Sequence, residues 1–307
     1  MRKLVKATGL LVLLSMLVSC SPGSSDLSND VPGVPTDSLT VFSASQASAH
    51  KSILVNYVDQ IATGIGGGVG TLNALGFAAA LVEREYPQVA GYLRQLGVEG
   101  SLIHVQGTLN CPGGGSITYP DNPVDRDRDG IPASAEAFYN NCRDSNGAVT
   151  NGSIKIRDKN DGDPRSGYTV VINLSVSGGA SQGRLVLGVD FTPGSGGAYQ
   201  VRYGFLIEEG RDKIAFGLNL SYTPSLDGNS NPYDAGVTNF NGRFAYRVSG
   251  ENFVLDMNGE NLQHNRASCM SSFIAGKATF QDSASNRLVI QYNGCNSYTV
   301  TYNGNPI

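Results

Sequence analysis

The sequence predicts a mainly β (α+β) protein: a large antiparallel meander sheet, half-open or closed into a barrel-like form, covered or filled by two to three N-terminal helices. Three observations predict it. Apolar residues recur with a helical period only between residues 44 and 97. From about Ser101 onward the period changes to two. Short clusters of Gly, Asn, Asp and Ser separate the alternating runs, at lengths that suit hairpins.

In the helical part, Ile53, Leu54, Tyr57, Val58 and Ile61 share one face. Gly64 to Gly70 interrupts the pattern. Leu72, Leu75, Ala79 and Val82 resume it, and Val89, Leu93 and Leu96 follow a start at Pro87. The stretch Ile65–Val82 carries no charge, yet its glycines with Thr71 and Asn73 leave it too weakly hydrophobic to span a bilayer. It reads as a helix buried against a sheet.

The strands come next. Tyr168, Val170, Ile172, Leu174 and Val176 alternate with smaller or polar residues, apart from Val171. So do Leu185 to Phe191, Tyr199 to Ile207 and Ile214 to Tyr222. Phe244 to Val248, Phe253 to Met257, Leu288 to Tyr292 and Tyr298 to Tyr302 continue the series. One apolar face per strand is what an antiparallel sheet with one covered face requires. About a dozen twisted strands tend to curl, hence the barrel-like expectation. The outward apolar girdle of a membrane barrel is not evident.

The N-terminus has a different character. Arg2, Lys3 and Lys6 precede the apolar run Leu10–Val18, and Ser19-Cys20 follows. A cationic start, a short apolar core and small residues make a secretory leader. This layout resembles the signal of bacterial lipoproteins, whose cysteine becomes the lipidated first residue of the mature chain. The resemblance implies that Cys20 bears a thioether-linked diacylglyceryl group and an amide-linked acyl chain of the palmitate kind. Each buried methylene contributes about 0.8 kcal/mol, and two or more chains make attachment effectively permanent. It implies a place in the bacterial cell envelope, and Ser21, where enteric inner-membrane lipoproteins carry aspartate, favours the outer membrane.

Residues 1–19 are thus the signal peptide, and 20–39, rich in Ser, Pro and Gly, a flexible tether. Residues 40–100 form the helical segment and 101–307 the β domain. Of 22 basic side chains the leader holds three and no acid, so the mature chain keeps 19 against 26 acidic ones, net −7. An acidic surface does not suggest a nucleic-acid partner.

Cys20 aside, four cysteines remain: Cys111, Cys142, Cys269 and Cys295. In an exported protein an even number reads as disulfides. Three pairings are possible. The local ones, Cys111–Cys142 and Cys269–Cys295, are favoured because each brackets one or two predicted hairpins, and loops of that length contribute about 3.5 kcal/mol each in the chain-entropy account.

One motif carries specific chemistry. Asp125-Arg126-Asp127-Arg128-Asp129-Gly130-Ile131-Pro132-Ala133-Ser134-Ala135-Glu136 fits D-x-D-x-D-G-x₅-E. Alternate carboxylates of Asp125, Asp127 and Asp129 converge on one cation while Gly130 makes the turn. The carbonyl of Ile131 adds an oxygen, and Glu136 closes the site with two more. The motif is similar to the calcium loops of EF-hands and thrombospondin type 3 repeats, which implies calcium as the bound ion. Ala133 departs from that pattern by offering no side-chain ligand at the ninth position, and no helix pair flanks the loop. A second acidic run, Asp158, Asp161 and Asp163 with Gly162, lacks the spacing and reads as a hairpin tip.

Other matches are weaker. Gly179-Ala180-Ser181-Gln182-Gly183 has the letters of a hydrolase elbow, but predicted strands flank it and His264 is the only downstream histidine. His50, His104 and His264 are isolated. The expectation is therefore a non-catalytic, lipid-anchored envelope protein with a structural or binding role and a structural calcium site, its partners unspecified beyond the membrane. The alternatives are a periplasmic carrier or binding protein for an apolar ligand and, behind it, a serine hydrolase using Ser181.

Overall fold

A computed structural model of the 307-residue chain describes residues 27–66, 107–119, 124–128, 131–145, 147–178, 182–225 and 232–307. The protein is mainly β, as the alternation predicts. Among the described residues there are fourteen strands, and their hydrogen-bonded order follows the chain from first to last, a meander. The order is linear, so of the two expected forms the closed one is not adopted. Two compact units divide the molecule: Met1–Pro32, Ala78–Thr192 and Gly204–Asp212, and Gly33–Phe77, Pro193–Tyr203 and Lys213–Ile307.

The first unit holds β1 (Gly107–Asn110), β2 (Ser116–Tyr119), β3 (Ala135–Arg143), β4 (Val149–Asp158), β5 (Tyr168–Ser177) and β6 (Gly183–Pro193), antiparallel throughout. Strand β7 (Tyr199–Glu209) contributes its second half. Ile154, Ile156, Val170, Ile172, Leu185, Leu187 and Val189 form the buried face, and Tyr168 stacks on Phe191 at 5.2 Å.

Val171 and Val186 break the alternation because a second layer covers them on that sheet's outer face. A 3₁₀ turn, Leu27–Asp30, packs on β5, and Leu27 and Val31 are buried. Room for this segment comes from missing side chains. A Cβ on Gly188 would lie 2.6 Å from Pro32 Cδ and 2.8 Å from Val31 Cα, and one on Gly204 would strike the Pro32 carbonyl oxygen. Glycine inside a strand here marks close approach of another backbone. The tether expected over residues 20–39 is therefore packed against strands from Leu27 onward.

The second unit contains β8 (Asp212–Pro224), β9 (Ala235–Val248), β10 (Glu251–Asn265), β11 (Ala275–Gln281), β12 (Arg287–Gly294), β13 (Ser297–Tyr302) and β14 (Asn305–Pro306). Here residues 33–43 continue as an extended segment. A Cβ on Gly217 would meet Gly33 O at 2.6 Å, and Lys213 Nζ donates to both carboxylate oxygens of Asp37 at 2.9 and 2.8 Å. That ion-paired hydrogen bond holds the Asp37 carboxyl below its ordinary range. Thr40 N donates to Val254 O at 3.3 Å, and Phe42 N donates to the buried Asp282 carboxylate at 2.8 Å.

Helix α1 (Ala44–Gly66) follows, starting where the periodicity predicts. Ser43 Oγ accepts from Gln46 N at 3.3 Å while Gln46 Oε1 accepts from Ser43 N at 3.0 Å, a capping box that satisfies two end donors. The predicted face is the buried one: Leu54, Tyr57 and Val58 are all but inaccessible. Tyr57 meets Phe216 edge-on at 5.0 Å and Phe244 at 5.8 Å, so the helix covers the apolar side of β8–β10. Tyr292 OH donates to Asp59 Oδ1 at 2.8 Å. The further helices expected at 72–96 lie outside the described residues. No described helix is long and apolar enough to cross a membrane.

Candidate metal centre

Two loops leave the same end of the β3–β4 pair. One runs into β3 through residues 124–133, and the other is the β4–β5 hairpin tip, residues 159–167. Ladder register places them together. Ala135 pairs with Ile156, and one step beyond, Asp158 N donates to Pro132 O at 3.0 Å. The first loop closes on itself where Ala133 N donates to Val124 O at 2.9 Å. Within it Arg128 N donates to Asp125 Oδ1 at 2.6 Å, with Arg128 in the left-handed region at φ 61°.

The hairpin tip is equally constrained. Lys159 N donates to Gly167 O at 3.0 Å, and Asn160 O accepts from Gly162 N and Asp163 N at 2.7 and 2.9 Å. Lys159 Nζ meets Asp190 Oδ1 at 2.6 Å and Thr192 Oγ1 at 2.6 Å, fixing the tip to β6. These bonds hold Asp161 over the neighbouring loop.

There Asp125, Asp127 and Asp161 each present a carboxylate oxygen, all within 4.8 Å of one another. Arg126 N donates to Asp161 Oδ1 at 2.9 Å, and its Nε lies 3.6 Å from Asp161 Oδ2. The side chain of Asp161 is 9 % exposed and that of Arg126 77 % exposed. The buried Oδ2 accepts no hydrogen bond. Three converging carboxylates, one of them with a buried oxygen, suit a hard divalent cation, which takes oxygen ligands.

Of the motif residues the structure brings Asp125 and Asp127 together. Asp129 and Gly130 lie outside the described residues. Ile131 sits in the loop just before the Pro132 carbonyl that bonds Asp158. Glu136, expected to close the site, is elsewhere. It is the second residue of β3, cross-strand from Lys155, whose Nζ lies 3.1 Å from its Oε1. The physical reason is that a strand, not a helix, follows the loop. The third carboxylate comes instead from Asp161, 34 residues beyond Asp127 in the chain. Its signal in the sequence was a run of turn-forming Asp, Gly and Pro; its nearness to Asp125 depended on the register of β3 with β4.

Both local disulfides are present. Cys111 joins Cys142, and Cys269 joins Cys295, each with Cα atoms 5.3 Å apart. The first encloses the acidic loop within its 31-residue span. Disulfides are commoner in oxidising compartments than in reducing ones. Cys20 and Ser181 lie outside the described residues. The β5–β6 pairing brings Val176 opposite Gly183, so the hydrolase-like stretch joins two antiparallel strands and not a strand and a helix. His264 is buried on β10. The chain matches no protein-family model, and no curated protein or solved structure is similar to it.

Proposed function

We propose that this is a lipid-anchored protein of the bacterial cell envelope, outer membrane favoured, with a non-catalytic structural or binding role. Acyl chains on Cys20 hold it to the membrane, and a calcium ion stiffens the first unit at Asp125, Asp127 and Asp161. The observation that carries the calcium reading is Asp161, with one buried carboxylate oxygen, meeting two carboxylates of a separate loop. Three acids so placed repel one another, a repulsion that a bound cation removes and that the exposed Arg126 guanidinium beside Asp161 offsets in part. Backbone carbonyls and water would supply the remaining oxygens, and Asp129 stands in the same loop. Extracellular modules of this type bind calcium at about 10⁻⁴–10⁻³ M, which suits a staple in a calcium-bearing medium.

A carrier would need an apolar cavity between helix and sheet. In the second unit Tyr57, Phe216 and Phe244 occupy that space, which favours the structural reading. Two measurements on one sample test the proposal. Mass spectrometry of the membrane fraction should find the N-terminal peptide beginning at an acylated Cys20. Hydrogen exchange of residues 124–133 and 159–167 should slow with calcium relative to chelator. An unmodified Cys20 in a soluble protein removes the anchor, and identical exchange in both media removes the ion.

A further inference from the structure

Residues 27–32 are not a spacer. Leu27 is 7 % and Val31 5 % exposed, and two glycines, Gly188 on β6 and Gly204 on β7, omit side chains that would collide with Val31 and Pro32. A short segment reading Leu-Ser-Asn-Asp-Val-Pro orders only if a surface receives it, because ordering each residue costs about 1–2 kcal/mol of backbone entropy. Here two apolar side chains and a backbone-width groove offer that surface. The groove is built into the sheet itself, since strand glycines lower strand stability unless something packs on them.

We infer that this strap shortens the membrane tether to residues 21–26, so that the first unit sits close against a bilayer. The inference rests on the anchor at Cys20 proposed above. Seven peptide steps from Cys20 to Leu27 reach at most about 25 Å at full extension, whereas twenty steps, to Thr40, would reach about 70 Å. The occupant of the space next to the first unit is thus a lipid surface. A free tether to Thr40 would let the protein sample about three times that distance.

The test uses the lipidated full chain in vesicles of phosphatidylethanolamine and phosphatidylglycerol, digested lightly with a nonspecific protease. Intact mass of the released body reports where the chain was cut. The expected fragment begins between residues 21 and 27, with cleavage inside 28–40 at least about tenfold slower. In Leu27→Ser/Val31→Ser, which leaves the sheet untouched, the cut should move into 28–40; Gly204→Val should do the same if it folds. Neutron reflectometry on a supported bilayer should give a protein-to-membrane gap no wider than about 25 Å for the native chain and a wider one for the double variant. Native cleavage within 28–40 at the same rate as within 21–26, or a gap unchanged by the double variant, overturns the strap. Failure of the anchor looks different: the undigested protein stays in the supernatant, and digestion of that soluble chain still reads the strap.

Discussion

The backbone N–H of Arg126 donates to the carboxylate of Asp161 at 2.9 Å, across 35 residues of sequence. This bond ties the acidic loop to the tip of the next hairpin, and the Arg126 guanidinium stands beside the same carboxylate. Removing the guanidinium while keeping the backbone bond should tighten any cation held there. Arg126→Ala is expected to raise calcium affinity by about two- to fivefold, an effect that shrinks with added salt because the arginine is exposed. Isothermal titration at two ionic strengths checks it.

Gly217 is expected to resist substitution although it lies in the middle of a strand, where alanine is normally preferred. An added Cβ would lie 2.6 Å from Gly33 O and 2.7 Å from Val34 Cα, both backbone. Gly217→Ala should destabilise the protein by about 1–3 kcal/mol, the usual range for overpacking. Gly162→Ala, whose nearest neighbour would be the Asn160 side chain at 3.6 Å, should be nearly neutral. Urea denaturation of both variants makes the comparison.

Burial pushes the Asp59 carboxyl up to about 6, against the opposing effect of the hydrogen bond from Tyr292. The folded protein therefore holds this proton more tightly than the unfolded chain does. Its contribution is present in full below the ordinary carboxyl value of 3.8 and is lost as pH rises through about 6. Asp59→Asn keeps an acceptor for Tyr292 and cannot ionise. At pH 7.5 the variant should be more stable than the native chain by about 1 kcal/mol, a figure reduced for the solvent that still reaches the group, and at pH 4 the two should converge.

His264 has the opposite sign. Its ring is 2 % exposed, and neither nitrogen hydrogen-bonds among the described residues. Burial first, and the charge of Arg266 second, lower its proton affinity, with Asp234 opposing. The folded state keeps it neutral while the unfolded chain protonates near the ordinary value of 6.5. Its contribution is therefore complete above about 6.5 and is lost as pH falls through the depressed folded value. His264→Gln should flatten the acid limb of a melting-temperature profile below pH 6.5, apart from any uniform offset. An unchanged limb would place the titrating group elsewhere.

What could be read in advance follows from how local each signal is. Strands β5 to β8 announce themselves because Tyr168 to Val176 and their successors repeat one apolar face. The start of α1 was equally plain, and both disulfides followed from hairpins bracketed by nearby cysteines. Strands β3 and β4 were harder, since Asn140, Asn141, Asn151 and Gly152 dilute the alternation. The strap was invisible because Leu27 and Val31 are isolated apolar residues. The segment they anchor is received by Gly188 and Gly204, which come together only once β6 and β7 are paired. For the same reason the sequence motif points to Glu136, whereas the register of β3 with β4 brings Asp161 beside Asp125 and Asp127.

Whether a cation joins the two loops is read from the calcium-dependent melting of three proteins: native, Asp161→Asn and Glu136→Gln. With about 10 mM calcium against chelator, a site of about 10⁻⁴ M affinity stabilises by about 2.7 kcal/mol, a rise of roughly 5–10 °C for a unit of this size. The native chain and Glu136→Gln should both show that rise, and Asp161→Asn should lose it. No rise in the native chain, or a rise kept by Asp161→Asn and abolished by Glu136→Gln, would contradict a centre built across the two loops.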